Sequence, residues 1–181
     1  MNASGRHRMP DREHLTSSES LHAEWINGEA VAAPRPTVAH QQATRRTANF
    51  LEQALPGLIA CHAVTVKLAP DMEPIPDVTV TAGPVEGLHI TQTPILVAEV
   101  LSPETWANDT VVKSAAYLLH GVSQYWLIDP TGRSIDVFQS DESGWHHSGH
   151  LDAKSHTAVV DVPPYGTIQV DLETLLGPPT P

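Results

Sequence analysis

Two acidic residues stand where their neighbours call for a buried strand. Asp77 follows Ile75-Pro76 and opens "DVTVTA", while Glu99 lies inside "PILVAEVLS" (94–102), otherwise almost wholly apolar. Lys113 follows on "NDTVVKSAAYLLHGV", a segment with helical character. Hard divalent cations such as Mg²⁺ or Mn²⁺ take carboxylate and carbonyl oxygens and keep several waters. If Asp77 and Glu99 converge, they supply two such ligands, with the backbone carbonyl of Val100 as a third. A nearby ammonium then orients an attacking water or steadies a pentavalent phosphate. A structural reading stands beside this one. An acid in an apolar strand can be half of a buried ion pair, although burial costs several kcal/mol unless the charge is well paired. Pro-Asp can simply start a turn or strand. Lys113 can pair with Asp109 one turn earlier on a solvated helix face. Spacing alone leaves both readings open.

The elements that must position these residues follow from pattern and punctuation. "HAEWINGEAVAAP" predicts two short strands turning at Asn27-Gly28, a strong hairpin signal. Val38, Ala43, Ala48, Leu51, Ala54 and Leu55 fall at helical spacing, and Pro56-Gly57 ends that helix. "CHAVTVKLAP", "IPDVTVTAG" and "PILVAEVLS" read as strands, the last so continuously apolar that both faces must be covered. "NDTVVKSAAYLLHGV" reads as a helix capped by Asn108 or Asp109, with Gly121 just past its end. "SQYWLIDPTGRSIDVFQ" is a hairpin turning at Asp129-Pro130-Thr131-Gly132. "HTAVVDV" and "GTIQVDL" alternate as strands, and "LETLLG" is a short closing helix. The predicted fold class is mixed α/β: a central mixed sheet flanked by helices and preceded by an N-terminal strand pair. Residues 1–19 read as a polar leader and 20–178 as a single domain.

The strings "IPDVTV", "PILVAEVLSPET", "NDTVVKSAAYLLHGVSQYWLIDP" and "RSIDVFQ" resemble the core of the Uma family of restriction endonucleases, a bacterial group in the PD-(D/E)XK nuclease superfamily. "AEWINGEAVAAPRPTVAHQQA" is similar to that family's opening strand pair and first helix, so the likeness runs from about Glu24 to Leu176. The resemblance implies a restriction-endonuclease-like fold, Asp77 and Glu99 as metal ligands, and Lys113 as the catalytic lysine. The superfamily signature places a lysine two residues after the acid, where this chain has Leu101; the Uma pattern takes it from the following helix instead. Glu24, His40, Ser102 and Asp109 also match family positions and are possible accessory residues. For Glu24 the choice is a metal-facing acid or a sheet-edge residue. For His40 it is a phosphate contact or a turn-holding contact. Ser102 reads first as a residue that caps or turns the chain, and Asp109 as a helix cap that pairs with Lys113. Tyr117, Tyr125 and Trp126 read as core or interface aromatics, Asp129 as part of the turn, and Gln124 as a replacement for the family's usual acid without a role in the chemistry.

The rest of the sequence bounds the function. With 10 Lys and Arg against 21 Asp and Glu, the formal charge is −11, which argues against a broad anion-binding surface. Arg35, Arg45, Arg46 and Lys67 are the cations nearest the expected site. The single cysteine, Cys61, cannot form an internal disulfide and reads as structural, so a reducing cytoplasm is the default compartment. No apolar run approaches the ~20 residues of a spanning helix, so no membrane partner is expected. "WHHSGH" groups His146, His147 and His150 on what reads as a solvated hairpin connection, without a carboxylate at zinc-site spacing. Two functions remain. One is a Mg²⁺- or Mn²⁺-dependent endonuclease acting on DNA, with homodimerisation suiting cleavage of both strands. The other is a nuclease fold kept as a binding or assembly module with little hydrolysis.

Overall fold

The computed structural model describes residues 23–32 and 34–179; the expected leader, 1–19, lies outside them. The chain opens with β1 (Ala23–Ile26) and β2 (Glu29–Ala32), antiparallel strands joined by Asn27 and Gly28. Both turn residues take positive φ, 52° and 75°, as the tightest hairpin turns demand. Trp25 exchanges backbone hydrogen bonds with Glu73, and Gly28 N–H donates to Asp71. The hairpin is thereby fixed to the segment that leads into Asp77.

Helix α1 (Val38–Ala54) begins where the Thr37 side chain accepts from the His40 N–H at 3.2 Å. Ala43, Thr44, Thr47, Ala48 and Leu51 form its buried stripe. Full burial of a leucine such as Leu51 contributes about 1.5–3 kcal/mol. Next come β3 (Leu58–His62), β4 (Thr65–Val66), β5 (Val78–Ala82), β6 (His89–Ile90) and β7 (Leu96–Val100). The segment from Cys61 to Leu68, expected as one strand, is divided. Ala63 adopts φ 52°, which no strand residue can, so β3 ends and β4 pairs instead with β6 in a separate two-stranded sheet. Cys61 accordingly lies in β3 and does not precede a strand.

The helical segment after β7 opens at Trp106 and Ala107, passes through a π-helical turn (Asn108–Lys113) and continues as α2 (Ser114–Leu119). Neither Asn108 nor Asp109 caps it; the residue before the π-turn is Ala107, with no side-chain cap, and Asp109 turns inward and is buried. β8 (Gln124–Asp129) and β9 (Ser134–Asp141) form the expected hairpin, in which Asp129 Oδ1 accepts from the Thr131 and Gly132 N–H groups at 2.8 Å each. β10 (Gly144–Leu151) follows. "WHHSGH" is therefore strand, not connection, because the turn falls earlier, where Asp141 accepts from Ser143. β11 (Thr157–Asp161) and β12 (Thr167–Asp171) pair with each other, and α3 (Leu172–Leu176) is capped by Asp171.

The central sheet has six strands in the order β10-β9-β8-β7-β5-β3. Only β7 and β8 are parallel within it, joined by the π-turn and α2, so the sheet is mixed. Every β7 residue is buried because both faces are covered. Leu96, Ala98 and Val100 join the main core with α1 and α3, whereas Val97 packs on the other face with Tyr117 and Tyr125. Strand alternation then points Glu99 toward α2. Among the described residues no helix is long and apolar enough to cross a membrane.

Candidate metal and active site

Glu99 is 1% exposed and Lys113 4%, so bulk solvent does little to solvate either charge. Glu99 Oε1 accepts from the Tyr117 hydroxyl at 2.7 Å and from Lys113 Nζ at 3.2 Å. Its Oε2 accepts from the backbone N–H of Asp77 at 3.2 Å. Asp77 returns the contact: its Oδ2 accepts from the Val100 N–H at 2.8 Å. The start of β5 and the end of β7 are thus tied by two reciprocal backbone-to-carboxylate bonds, which place the two acids side by side.

Lys113 sits over this pair and gathers further acids. Its Nζ lies 2.8 Å from Glu24 Oε1 and 3.1 Å from Asp109 Oδ1, in addition to Glu99. The Asp109 contact is an ion pair without hydrogen-bond alignment, for Asp109 Oδ1 has no aligned donor. The π-turn brings Asp109 and Lys113 to the same face; such turns recur at functional sites. Glu24 is held from the opposite side, since its Oε1 also accepts from the Ile75 N–H at 2.8 Å. His40, from the first turn of α1, places Nε2 3.2 Å from Asp77 Oδ2. The elements meet around an open cleft of about 910 Å³, lined by Glu24, Asp77, Glu99, Asp109, Lys113 and Arg35 among others.

The electrostatics follow from burial and crowding. Burial pushes Glu99 well above the usual carboxylate range; Lys113 opposes this, while Asp109, Asp77 and Glu24 reinforce it. Burial would lower Lys113, yet Glu99, Glu24 and Asp109 outweigh it and hold the ammonium charged well above its ordinary value. His40 is raised as well: burial pulls it down, but the Asp77 hydrogen bond and charge, with a backbone bond to Val100, prevail. Tyr117 is pushed up by burial and by Glu99, so it stays a neutral donor. Three carboxylates surround the Lys113 ammonium and a fourth, Asp77, pairs with His40, so acids crowd the site.

Asp77, Glu99, Lys113, Glu24, His40 and Asp109 therefore come together. Ser102 lines the same cleft, but its Oγ accepts from the Thr105 N–H at 3.2 Å, the turn-forming role read from sequence. Tyr117 belongs to the site although its sequence context reads as core; a helical tyrosine one turn after Lys113 was the available signal. Tyr125 is similar, its hydroxyl donating to the Asp109 carbonyl at 2.8 Å. Gln124 is buried and donates from Nε2 to the Asp161 carbonyl, away from the cleft. Of the four cations expected nearby, Arg35 alone lines the cleft. Arg46 instead donates to the Leu176 carbonyl at 2.9 Å, on the α3 side.

Comparison with known proteins agrees with this fold. A search of curated proteins finds no match. A solved structure of a "putative nuclease belonging to DUF820" from Anabaena variabilis ATCC 29413 superposes with a TM-score of 0.70 at 20% identity, covering 93% of each chain. Residues 7–171 match the Uma2 family, described as "Putative restriction endonuclease". With nearly the whole length matched, the chain belongs to the Uma2 family.

Proposed function

We propose that the protein is a metal-dependent endonuclease that hydrolyses phosphodiester bonds of DNA, with Asp77 and Glu99 as metal ligands and Lys113 as the catalytic cation. The observation that carries this reading is the reciprocal Asp77–Glu99 linkage with Lys113 Nζ 3.2 Å from Glu99. The donor set fits Mg²⁺ or Mn²⁺, being all hard oxygen. Each carboxylate oxygen carries two acceptor sites, and Glu99 Oε2 uses one of them on the Asp77 N–H, leaving the other for a cation. The Val100 carbonyl, beside Glu99 at the end of β7, is the proposed third ligand.

When bound, such an ion polarises the phosphate and acidifies a coordinated water. The chain's own groups do the rest. Tyr117 and Lys113 hold Glu99 in one orientation, and Lys113 offsets charge that builds on the phosphate. His40, hydrogen-bonded to Asp77, can pass a proton at the cleft wall or contact a phosphate oxygen. Glu24 and Asp109 keep the ammonium charged and fixed. A homodimer would present two such clefts to the two strands of a duplex.

A second reading has its own support. Three carboxylates surround Lys113, so a structural ion cluster in a nuclease-derived binding module accounts for the same contacts, with Asp109 held by charge alone. The acidic cleft, with Arg35 as its nearest arginine, points the same way. Incubation with plasmid and oligonucleotide DNA, with Mn²⁺ or with chelator, separates the two. Metal-dependent product that disappears in Asp77→Ala supports the nuclease, and no product in any condition supports the module. Light scattering tests the dimer.

A further inference from the structure

A second group of ligating side chains lies on the outer strands of the same sheet. In β10, Ser148 is an extra residue: His147 pairs with Phe138, whereas Gly149 pairs with Val137. Two residues three apart on a regular strand point to opposite faces. The bulge cancels that alternation, so His147 and His150 emerge on one face. Gly149 takes the inner position, where an added Cβ would sit 3.5 Å from Val137. Across the ladder His150 faces Asp136 directly. His147 Nε2 lies 2.8 Å and His150 Nδ1 2.7 Å from the same atom, Asp136 Oδ1. These three atoms lie within 4.8 Å of one another.

We propose that Asp136, His147 and His150 form a binding site for a first-row transition dication, with Zn²⁺ as the representative ion. Two imidazoles and one carboxylate suit that class, in contrast to the all-oxygen set around Asp77. Zn–N and Zn–O distances of about 2.0–2.2 Å in a tetrahedral site need the ion to replace the protons shared with Oδ1 and the N···O contacts to widen by about 0.5 Å, which exposed side chains on a strand surface can do. Asp152 Oδ2 stands 3.6 Å from the other ring nitrogen of His150, close enough for charge attraction but beyond hydrogen-bond distance. The ligands are between one-third and one-half exposed, so an ion can enter without unfolding and keeps an outward position for water or an added ligand. The register also fixes where this site lies. Glu99, Leu127, Asp136 and His150 form one cross-strand row, so the site shares the sheet face of Glu99, two strand spacings or about 10 Å from Asp136 to that acid's strand.

The test is a Zn²⁺ titration by calorimetry on the full chain, with Co²⁺ absorption as a spectroscopic check. The wild type and Glu99→Gln should bind Zn²⁺ alike at this site. His147→Gln combined with His150→Gln, and Asp136→Asn alone, should weaken that binding at least about tenfold. Equal Zn²⁺ affinity in the double variant, or a loss that follows Glu99→Gln instead, overturns the proposal. A measurement on the unmutated protein guards against misfolded variants: Zn²⁺ should shift the imidazole proton resonances of His147 and His150, and unmoved resonances refute the site.

Discussion

Replacing Lys113 by methionine removes the one ammonium around which the buried acids are arranged. Its Nζ lies 2.8, 3.1 and 3.2 Å from Glu24, Asp109 and Glu99, none of which is more than 5% exposed. Methionine preserves most of the volume, so packing changes little and the loss is electrostatic. Breaking a buried pair from one side costs about 3–5 kcal/mol, because the remaining charge stays buried without compensation. At about 2–4 °C per kcal/mol for a chain of this size, the melting temperature should fall by about 6–20 °C near pH 7. The pH dependence has a definite sign. Glu99 is already raised by burial and the Lys113 charge counters that, so the variant raises it further. A carboxylate whose folded value exceeds its unfolded value is least costly when protonated, and its penalty grows as pH rises above the unfolded value of about 4.3. The deficit of Lys113→Met should therefore shrink as pH drops from 8 toward 5. Mn²⁺, entering among the same carboxylates, should restore stability to the variant more than to the wild type. Urea and thermal unfolding followed by circular dichroism measure both. A loss below about 1 kcal/mol that is the same at pH 5 and pH 8 would refute the reasoning, for the ammonium would then not be what compensates the acids.

Other expectations are more local. Tyr117→Phe deletes the 2.7 Å hydrogen bond to Glu99 and should cost about 1.5–3 kcal/mol in urea unfolding, as bonds to charged groups do. His40 is raised chiefly because the Asp77 hydrogen bond and charge overcome its burial. Its stabilisation is then complete below the unfolded value of about 6.5 and is lost as pH rises through the folded value. Asp77→Asn should lower the His40 titration midpoint by NMR, and an unmoved midpoint contradicts the pairing. Because Glu99 is raised, Mn²⁺ affinity should climb with pH through the acid-to-neutral range, with proton release on binding. Calorimetry in buffers of different ionisation enthalpy reads that proton, and pH-independent binding counts against Glu99 as a ligand.

Much of the positioning framework was legible in sequence because local chemistry dictates it. Asn27-Gly28 fixes the first turn, Pro56-Gly57 stops α1, and the unbroken apolar run around Glu99 correctly reads as a strand covered on both faces. The convergence of Asp77, Glu99 and Lys113 was conditional in the sequence on the two acids' strands adjoining, and the family resemblance implied it; in the fold β5 and β7 do pair. What the sequence could not show depended on partners distant along the chain. Tyr117 looks apolar in its helix, and only the fold aims its hydroxyl at Glu99. Asp109 resembles a cap until the π-turn carries it inward. Asp136 lies on the strand before the histidines, and no linear spacing reveals that a bulge at Ser148 aligns them with it. Ala63 has no residue-type signal for the positive φ that divides its strand.

The central claim is that Asp77 and Glu99 jointly hold a divalent ion, and a crystal soaked in Mn²⁺ tests it most directly. Anomalous scattering should show a peak between the two carboxylates, bordered by the Val100 carbonyl and missing in Glu99→Gln. Density that contains no peak there, while Lys113 still bridges Glu24, Asp109 and Glu99, would contradict the account and leave these residues as a structural cluster.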